Sequence, residues 1–327
     1  MQPIIAPVDK ELLLTELTKE RFICPTNYLK NEIYIINGND CPNVMREIGR
    51  LREVSFRAGG GGSLKDCDTD DYDYGQYAYQ QLIVWNPEDQ QIVGGYRFVL
   101  CAQVRDAQGK FRLSTSEIVE YTDKIKEEFF PTTIELGRSF IQPYYQPSAE
   151  NRSNVFSLDN LWDGLGTLTV LYPHIEHFFG KITMYTNFNV EARDLLLAFM
   201  HHVFPDPDKL LILPHPLVTQ YDCSTFIESI KELPFKQAYI ELNKRIRSLG
   251  ENIPPLFNAY MGLSPTMRTF GTSLNTHFGS VEETGILITI ADIYPAKKER
   301  HIQTYLKYLE DKTTQNLPTQ SATTITK

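Results

Sequence analysis

The stretch Thr133-Ile134-Glu135-Leu136-Gly137-Arg138-Ser139-Phe140-Ile141 decides how this chain is read. It follows a turn at Pro131 and sets a carboxylate and a guanidinium three residues apart in a strand-like run. Plain strand alternation sends Glu135 and Arg138 to opposite faces. A bulge near Gly137 instead turns both toward one cleft. Two other charged elements stand upstream: the acidic run Asp66 to Asp73, and Arg97, which closes the apolar run Ile92-Val93-Gly94-Gly95-Tyr96. Charges inside apolar strands need partners or a ligand. A structural ion pair beneath a sheet and a binding cleft both satisfy that demand.

Working outward, Tyr79 to Trp85 and Gln91 to Val104 read as strands joined by the Asn86-Pro87-Glu88-Asp89 turn. Helices are expected at Asp9 to Lys19 and at about Asn43 to Phe56, with a short strand, Ile33 to Ile36, between them. The glycines at 59–62, with Ser63, read as a mobile loop suited to closing over a ligand. They lack the Lys-Ser/Thr of a phosphate loop, and no strand precedes them. Phe156 to Leu171 carries the clearest helical stripe, in Leu158, Leu161, Trp162, Leu165 and Leu168, and Pro173 stops it. Phe179 to Met184 reads as a strand, Glu191 to Val203 as a helix, Phe235 to Leu249 as a helix, and Gly285 to Ile290 as a core strand. His301 to Leu309 reads as a terminal helix, and the Thr-, Gln- and Ser-rich Asn316 to Lys327 as disordered. The expected organisation is an N-terminal extension (1–42), a main domain (43–312) with a helical elaboration around 205–280, and a tail (313–327).

At 327 residues the chain can bury a large core. Its formal charge of -9 and lack of a long Lys/Arg cluster argue against a nonspecific nucleic-acid binder. No apolar run approaches the ~20 residues that span a bilayer, and the N-terminus does not read as a secretory signal. Peripheral membrane contact stays open. Five scattered cysteines give neither a metal pair nor a disulfide framework, which fits a reducing cytoplasm. No resident metal is expected.

In order along the chain, Leu51-Arg52-Glu53-Val54-Ser55-Phe56, Asp71-Tyr72-Asp73, Val93-Gly94-Gly95-Tyr96-Arg97, Glu135-Leu136-Gly137-Arg138-Ser139-Phe140 and Leu161-Trp162-Asp163-Gly164-Leu165 resemble one branch of the GCN5-related acyltransferases. This is the branch of ornithine-lipid and glycine-lipid synthases, some carrying a historical hemolysin label, with acyl-homoserine-lactone synthases as distant relatives. The resemblance spans roughly Asn43 to Ile293. It implies an α/β fold with a mixed central sheet flanked by helices and an extended C-terminal region. It also implies N-acyl transfer of a long-chain, in some members 3-hydroxy, acyl group to an amino acid, giving a lyso-aminolipid. Carried onto matching positions, it implies catalytic roles for Glu135, Arg138 and Arg97, and substrate contacts from Arg52, Asp71, Asp73 and Phe140. Asp66, Asp68 and Asp70 compete with Asp71 and Asp73 in register.

The Gln/Arg-x-x-Gly-x-Gly/Ala pyrophosphate loop of common acetyltransferases is absent after Phe140, where Gln142-Pro143-Tyr144-Tyr145-Gln146-Pro147 stands instead. That departure suits an acyl-carrier-protein donor, with acyl-CoA the alternative cosubstrate. No permanently bound cofactor is implied, and the oligomeric state is not legible.

Direct attack of an amine on a thioester needs a proton acceptor, for which Glu135 is the expected residue. It also needs an oxyanion donor, such as a backbone N–H at a split between strands. Arg97 and Arg138 suit either fixing the acidic cluster or clamping an acceptor carboxylate. The apolar segments near Leu210 and Ile253 are candidates for an acyl channel. The His-x-x-x-x-Asp spacing from His201 to Asp206 lacks companion O-acyltransferase motifs. Two competing functions remain: an acyl-homoserine-lactone synthase, and a noncatalytic module that binds acyl carrier protein or lipid.

Overall fold

A computed structural model describes residues 1–147, 154 and 156–315 of the chain. The elements in order are α1 (Lys10–Glu16), β1 (Phe22–Pro25), β2 (Glu32–Asn37), α2 (Pro42–Gly59), β3 (Gln80–Asn86), β4 (Gln91–Leu100), β5 (Glu120–Tyr121) and β6 (Thr133–Ile141). There follow α3 (Phe156–Leu171), β7 (His177–Met184), α4 (Val190–Val203), β8 (Leu211–Ile212), α5 (Ser224–Ile230), α6 (Phe235–Ser248) and α7 (Pro255–Met261). The chain closes with β9 (Arg268–Asn275), β10 (Val281–Thr289), α8 (Pro295–Lys298) and α9 (Thr304–Gln315). The expected tail is helical through Gln315, and 316–327 lie outside the described residues.

Eight strands form one sheet in the order β1-β2-β3-β4-β6-β7-β10-β9. Every neighbouring pair is antiparallel except β6·β7, which is parallel. The expected mixed α/β layout is therefore present. Residues 1–42, read as an extension, supply β1 and β2 to this same sheet.

Alternating side chains divide the core between two faces. On one face Leu82, Val84, Phe98, Leu136, Phe178, Ile182 and Ile286 pack with α3, α4, α6 and α7. On the other, Ile83, Trp85 and Phe140 meet Val44, Ile48 and Leu51 of α2. Tyr79, Val99, Phe179 and Leu287 continue that second face beneath the segment from Val104 to Phe130.

Three local readings change. The helix begun at Pro42 runs to Gly59, and Gly60 closes it in the left-handed conformation (φ 99°), its N–H bonding to Arg57 O. Gly61 and Gly62 are buried, so the glycine run is a helix cap and not an open loop. Strand β9 went unread because Gly271 and the Thr/Ser residues break its apolar pattern, and β10 begins four residues before Gly285, at Val281.

Candidate active site

The parallel ladder of β6 and β7 runs from Thr133↔His177 to Leu136↔Gly180 and then stops, although both strands continue. The strands splay beyond that point. Gly180 stands at the branch, where a Cβ would lie 2.6 Å from the Leu136 carbonyl oxygen. Only glycine allows the two backbones to separate from so close an approach. The β7-facing edge of Gly137–Ile141 is thus left without a strand partner.

The same segment carries the expected bulge. Gly95 is opposite Phe140 while Arg97 is opposite Gly137, so two residues of β6 face one of β4. Arg138 takes the left-handed conformation (φ 50°) there. The bulge swings its side chain to the face that holds Arg97 and Glu135.

A cavity of ≈ 760 Å³ fills the splay and is lined from both faces of the sheet. Tyr96, Leu158, Leu161, Phe178, Leu256 and Ile286 make its apolar half. Arg97, Ser114, Arg138, Lys181 and Glu283 make its polar half. The segment near Ile253 does reach this lining through Pro254, Pro255 and Leu256, whereas Leu210 is packed in the core beneath the second face.

The sequence-selected charges largely neutralise one another. Arg52, fully buried, donates through Nη1 to both oxygens of Asp73 (3.1 and 3.0 Å) and through Nη2 to Gln81 Oε1 (2.6 Å). Gln81 Nε2 donates to Asp73 Oδ1 at 3.0 Å. Arg97 Nη1 donates to Asp70 Oδ1 (2.6 Å) and reaches Asp73 Oδ1 at 3.5 Å. Its guanidinium lies 5.3 Å from the Tyr72 ring centre and 5.2 Å from that of Tyr79. Arg138 Nε stands 3.0 Å from Asp68 Oδ2, Nη2 is 3.4 Å from Asp70 Oδ2, and the group stacks 4.2 Å over Phe278. Three arginines thus face three aspartates. Burial pushes the Asp70 carboxyl up, but Arg97 and Arg138 outweigh it and hold it at about 2. Burial wins at Asp68, which is raised despite Arg138.

Asp71 is exposed, outside this network, and Asp68 and Asp70 occupy the inner positions beside Asp73. Phe140 lines the cavity from the second face.

Glu135 is fully buried but does not line the cavity, and its partner is not Arg138. Its Oε2 accepts from the Tyr79 hydroxyl and from Ser114 N–H (3.1 Å), and its Oε1 from Thr115 N–H (2.9 Å). Burial, then the Glu135 charge, pushes the Tyr79 hydroxyl well above its usual value, keeping it a donor. This carboxylate anchors the segment that presents Ser114 to the cavity.

Two functional candidates escaped the sequence reading. Lys181 Nζ lies 2.7 Å from Glu283 Oε2, and both side chains line the cavity. Phe179 and Leu287 share the second face with Val99. Lys181 and Glu283, at even spacings from them, therefore share that face with Arg97 and Glu135. The signal was present: charges in the apolar runs 178–184 and 281–289 pose the same question as Arg97. At the other expected motif, Asp206 accepts from Leu210 N–H and Arg268 rather than from a histidine.

Residues 51–152 match a family model described as an acetyltransferase (GNAT) domain. A glycine N(alpha)-acyltransferase of Bacteroides thetaiotaomicron is 50% identical over 312 residues, covering 94% of this chain and 91% of that protein. A protein of the same name from Phocaeicola vulgatus is 48% identical over 308 residues, covering 94% of each chain. No solved structure matches.

Proposed function

This chain belongs to the GNAT family of N-acyltransferases, and from that premise we propose that it joins a long fatty acyl group to the α-amine of glycine. The observation that carries this reading is the cavity that crosses the sheet at the splay, apolar on one side and charged on the other. An N-acyl amino acid has the same division: a hydrocarbon chain, an amide at the middle and a carboxylate at the end. Burying each methylene contributes about 0.8 kcal/mol, so an apolar half of this size favours long acyl chains. The names of the two relatives favour glycine as acceptor.

The donor is a thioester, with acyl carrier protein ahead of acyl-CoA because the pyrophosphate-loop motif is missing after Phe140. The thioester carbonyl sits at the splay, where main-chain N–H groups freed from sheet pairing stabilise the oxyanion. The amine attacks, the C–N bond forms, the C–S bond breaks and the thiol leaves. Arg97 and Arg138 line the polar half, and the Arg–Asp network fixes their positions. The product is a lyso-aminolipid, and its amphiphilic character gives peripheral membrane contact a chemical reason. Among the described residues no helix is long and apolar enough to cross a membrane.

The test is mass-resolved product formation by the purified protein. It receives 3-hydroxyacyl carrier protein and a pool of amino acids, with acyl-CoA as a parallel donor. The expected result is one dominant N-acylglycine mass. A different amide overturns the acceptor assignment, and donor binding without any amide overturns the catalytic reading in favour of a binding module.

A further inference from the structure

Amide formation from a zwitterionic amino acid must dispose of two protons from the nitrogen. One leaves with the thiolate as thiol; the other needs a base in the cleft. Glu135 is walled off and its oxygens are met by a hydroxyl and two amides. Asp68, Asp70 and Asp73 are committed to arginines and do not line the cavity. Among the described residues, Glu283 is the one carboxylate in the lining.

Its two oxygens differ. Oε2 takes Lys181 Nζ at 2.7 Å and Asn275 Nδ2 at 2.9 Å. Oε1 has only a long contact, 3.4 Å, from the Thr183 hydroxyl. Glu283 is 2% exposed, and among the described residues Lys181 is its only charged partner. This Lys–Glu pair in the cavity wall presents one cation and one anion side by side. An α-amino acid presents the same two charges with opposite sign.

We propose that Lys181 and Glu283 form the acceptor site: Lys181 holds the carboxylate of the incoming amino acid, and Glu283 Oε1 accepts the ammonium proton. Loss of that proton leaves a neutral amine for attack on the thioester carbon. The second nitrogen proton goes to the departing sulfur, and Glu283 returns its proton to solvent. This assignment rests on the N-acyl-transfer reading above.

The experiment compares the parent with Glu283→Gln, Lys181→Met and the double variant, using one acyl donor and either glycine or glycinamide. Amide formation by the parent establishes the reaction; its absence defeats the underlying reading and not this assignment alone. With the parent active, Glu283→Gln should lower kcat about 10²–10⁴-fold near neutral pH. The deficit should shrink as pH rises and free amine becomes plentiful. Lys181→Met should raise the glycine KM at least about tenfold and abolish any preference for glycine over glycinamide. The double variant leaves neither charge unpaired and reports folding through its urea midpoint. A Glu283→Gln enzyme within threefold of the parent, or with a deficit constant across pH, overturns the assignment. So does an unchanged glycine-to-glycinamide preference in Lys181→Met.

Discussion

On the β4–β6 side of the cleft, each inward-facing carboxylate has found its counterpart: Asp73 in Arg52, Asp70 in Arg97, Asp68 in Arg138, and Glu135 in Tyr79 and two amides. On the β7–β10 side, Glu283 shares one oxygen with Lys181 and Asn275 and keeps the other nearly open. Although Arg52, Arg97 and Arg138 each leave Nε without a hydrogen-bond partner, every one of these guanidinium groups is ion-paired, and paired charges make a frame because a move breaks a partnership. A carboxylate oxygen held by one long contact in a cavity wall is available for chemistry. The motif that catches the eye in sequence therefore builds the cleft, and the less conspicuous strand supplies its open acid–base group.

The sharpest way to break this comparison is to remove a cation from the ion-paired side. Arg52→Met leaves Asp73 with Gln81, the Asp70 N–H and the more distant Arg97, in a site sealed from water. Stripping one member from a buried pair costs about 3–5 kcal/mol. Urea denaturation should therefore show a large drop in midpoint, against a typical total stability of about 5–15 kcal/mol. A midpoint within experimental error of the parent would mean that the network is not a frame.

The second prediction strikes the branch between the two sides. Gly180→Val places a Cβ 2.6 Å from the Leu136 carbonyl oxygen, before its methyl groups are counted. Overpacking of this kind costs about 1–3 kcal/mol. Because the strands must shift where the cavity opens, acyl transfer should fall by more than that stability loss alone explains. Parent-like turnover with a lowered unfolding midpoint would detach the splay from the active cleft.

These contrasts also explain what the sequence made legible. Arg52, Arg97 and Arg138 announce themselves because a guanidinium amid apolar neighbours must be paired, and the bulge at Arg138 follows from a glycine beside a charged pair. The identity of the partners was less accessible. Asp66, Asp68, Asp70, Asp71 and Asp73 lie so close in sequence that only the backbone turns decide which face inward. The Asp70 N–H bond to Asp73 and the Tyr72 N–H bond to Asp70 set those turns, leaving Asp71 outside. Glu283 was missed for another reason. The reading of β10 began at Gly285, where the run becomes purely apolar, and so cut off the two charged residues at its start. Long helices such as Phe156–Leu171 were plain because their apolar stripe repeats over many turns; two-residue β8 has no period to read.

A smaller effect separates the aspartates of the frame by pH. Asp70 has a folded value of about 2, below the 3.8 of an ordinary aspartate, so its contribution is present above the ordinary range and lost as pH falls through about 2. Asp68 is raised, so protonation favours the folded state as pH falls through its folded value toward 3.8. Asp70→Asn should cost about 1–2 kcal/mol at pH 7, since Arg97 keeps Asp73 and Arg138 keeps Asp68. The gap from the parent should narrow between pH 4 and 2 in a urea-midpoint series. A gap independent of pH would assign the loss to packing rather than charge.

The mildest change belongs to the apolar half, and there the comparison predicts a different kind of response. Leu256 lines the cavity from α7, away from the sheet and its ion pairs. Leu256→Trp fills part of that space without leaving any polar group unpaired, so the unfolding midpoint should stay close to the parent's. Each methylene denied its place forfeits about 0.8 kcal/mol, or about fourfold in relative kcat/KM. The expected signature is a graded shift of the preferred acyl length toward shorter chains, measured by offering donors of several lengths in competition. A frame of paired charges fails as a unit, whereas an apolar pocket loses one carbon at a time. Uniform loss at every chain length would place Leu256 with the frame and leave the acyl chain to another part of the cavity.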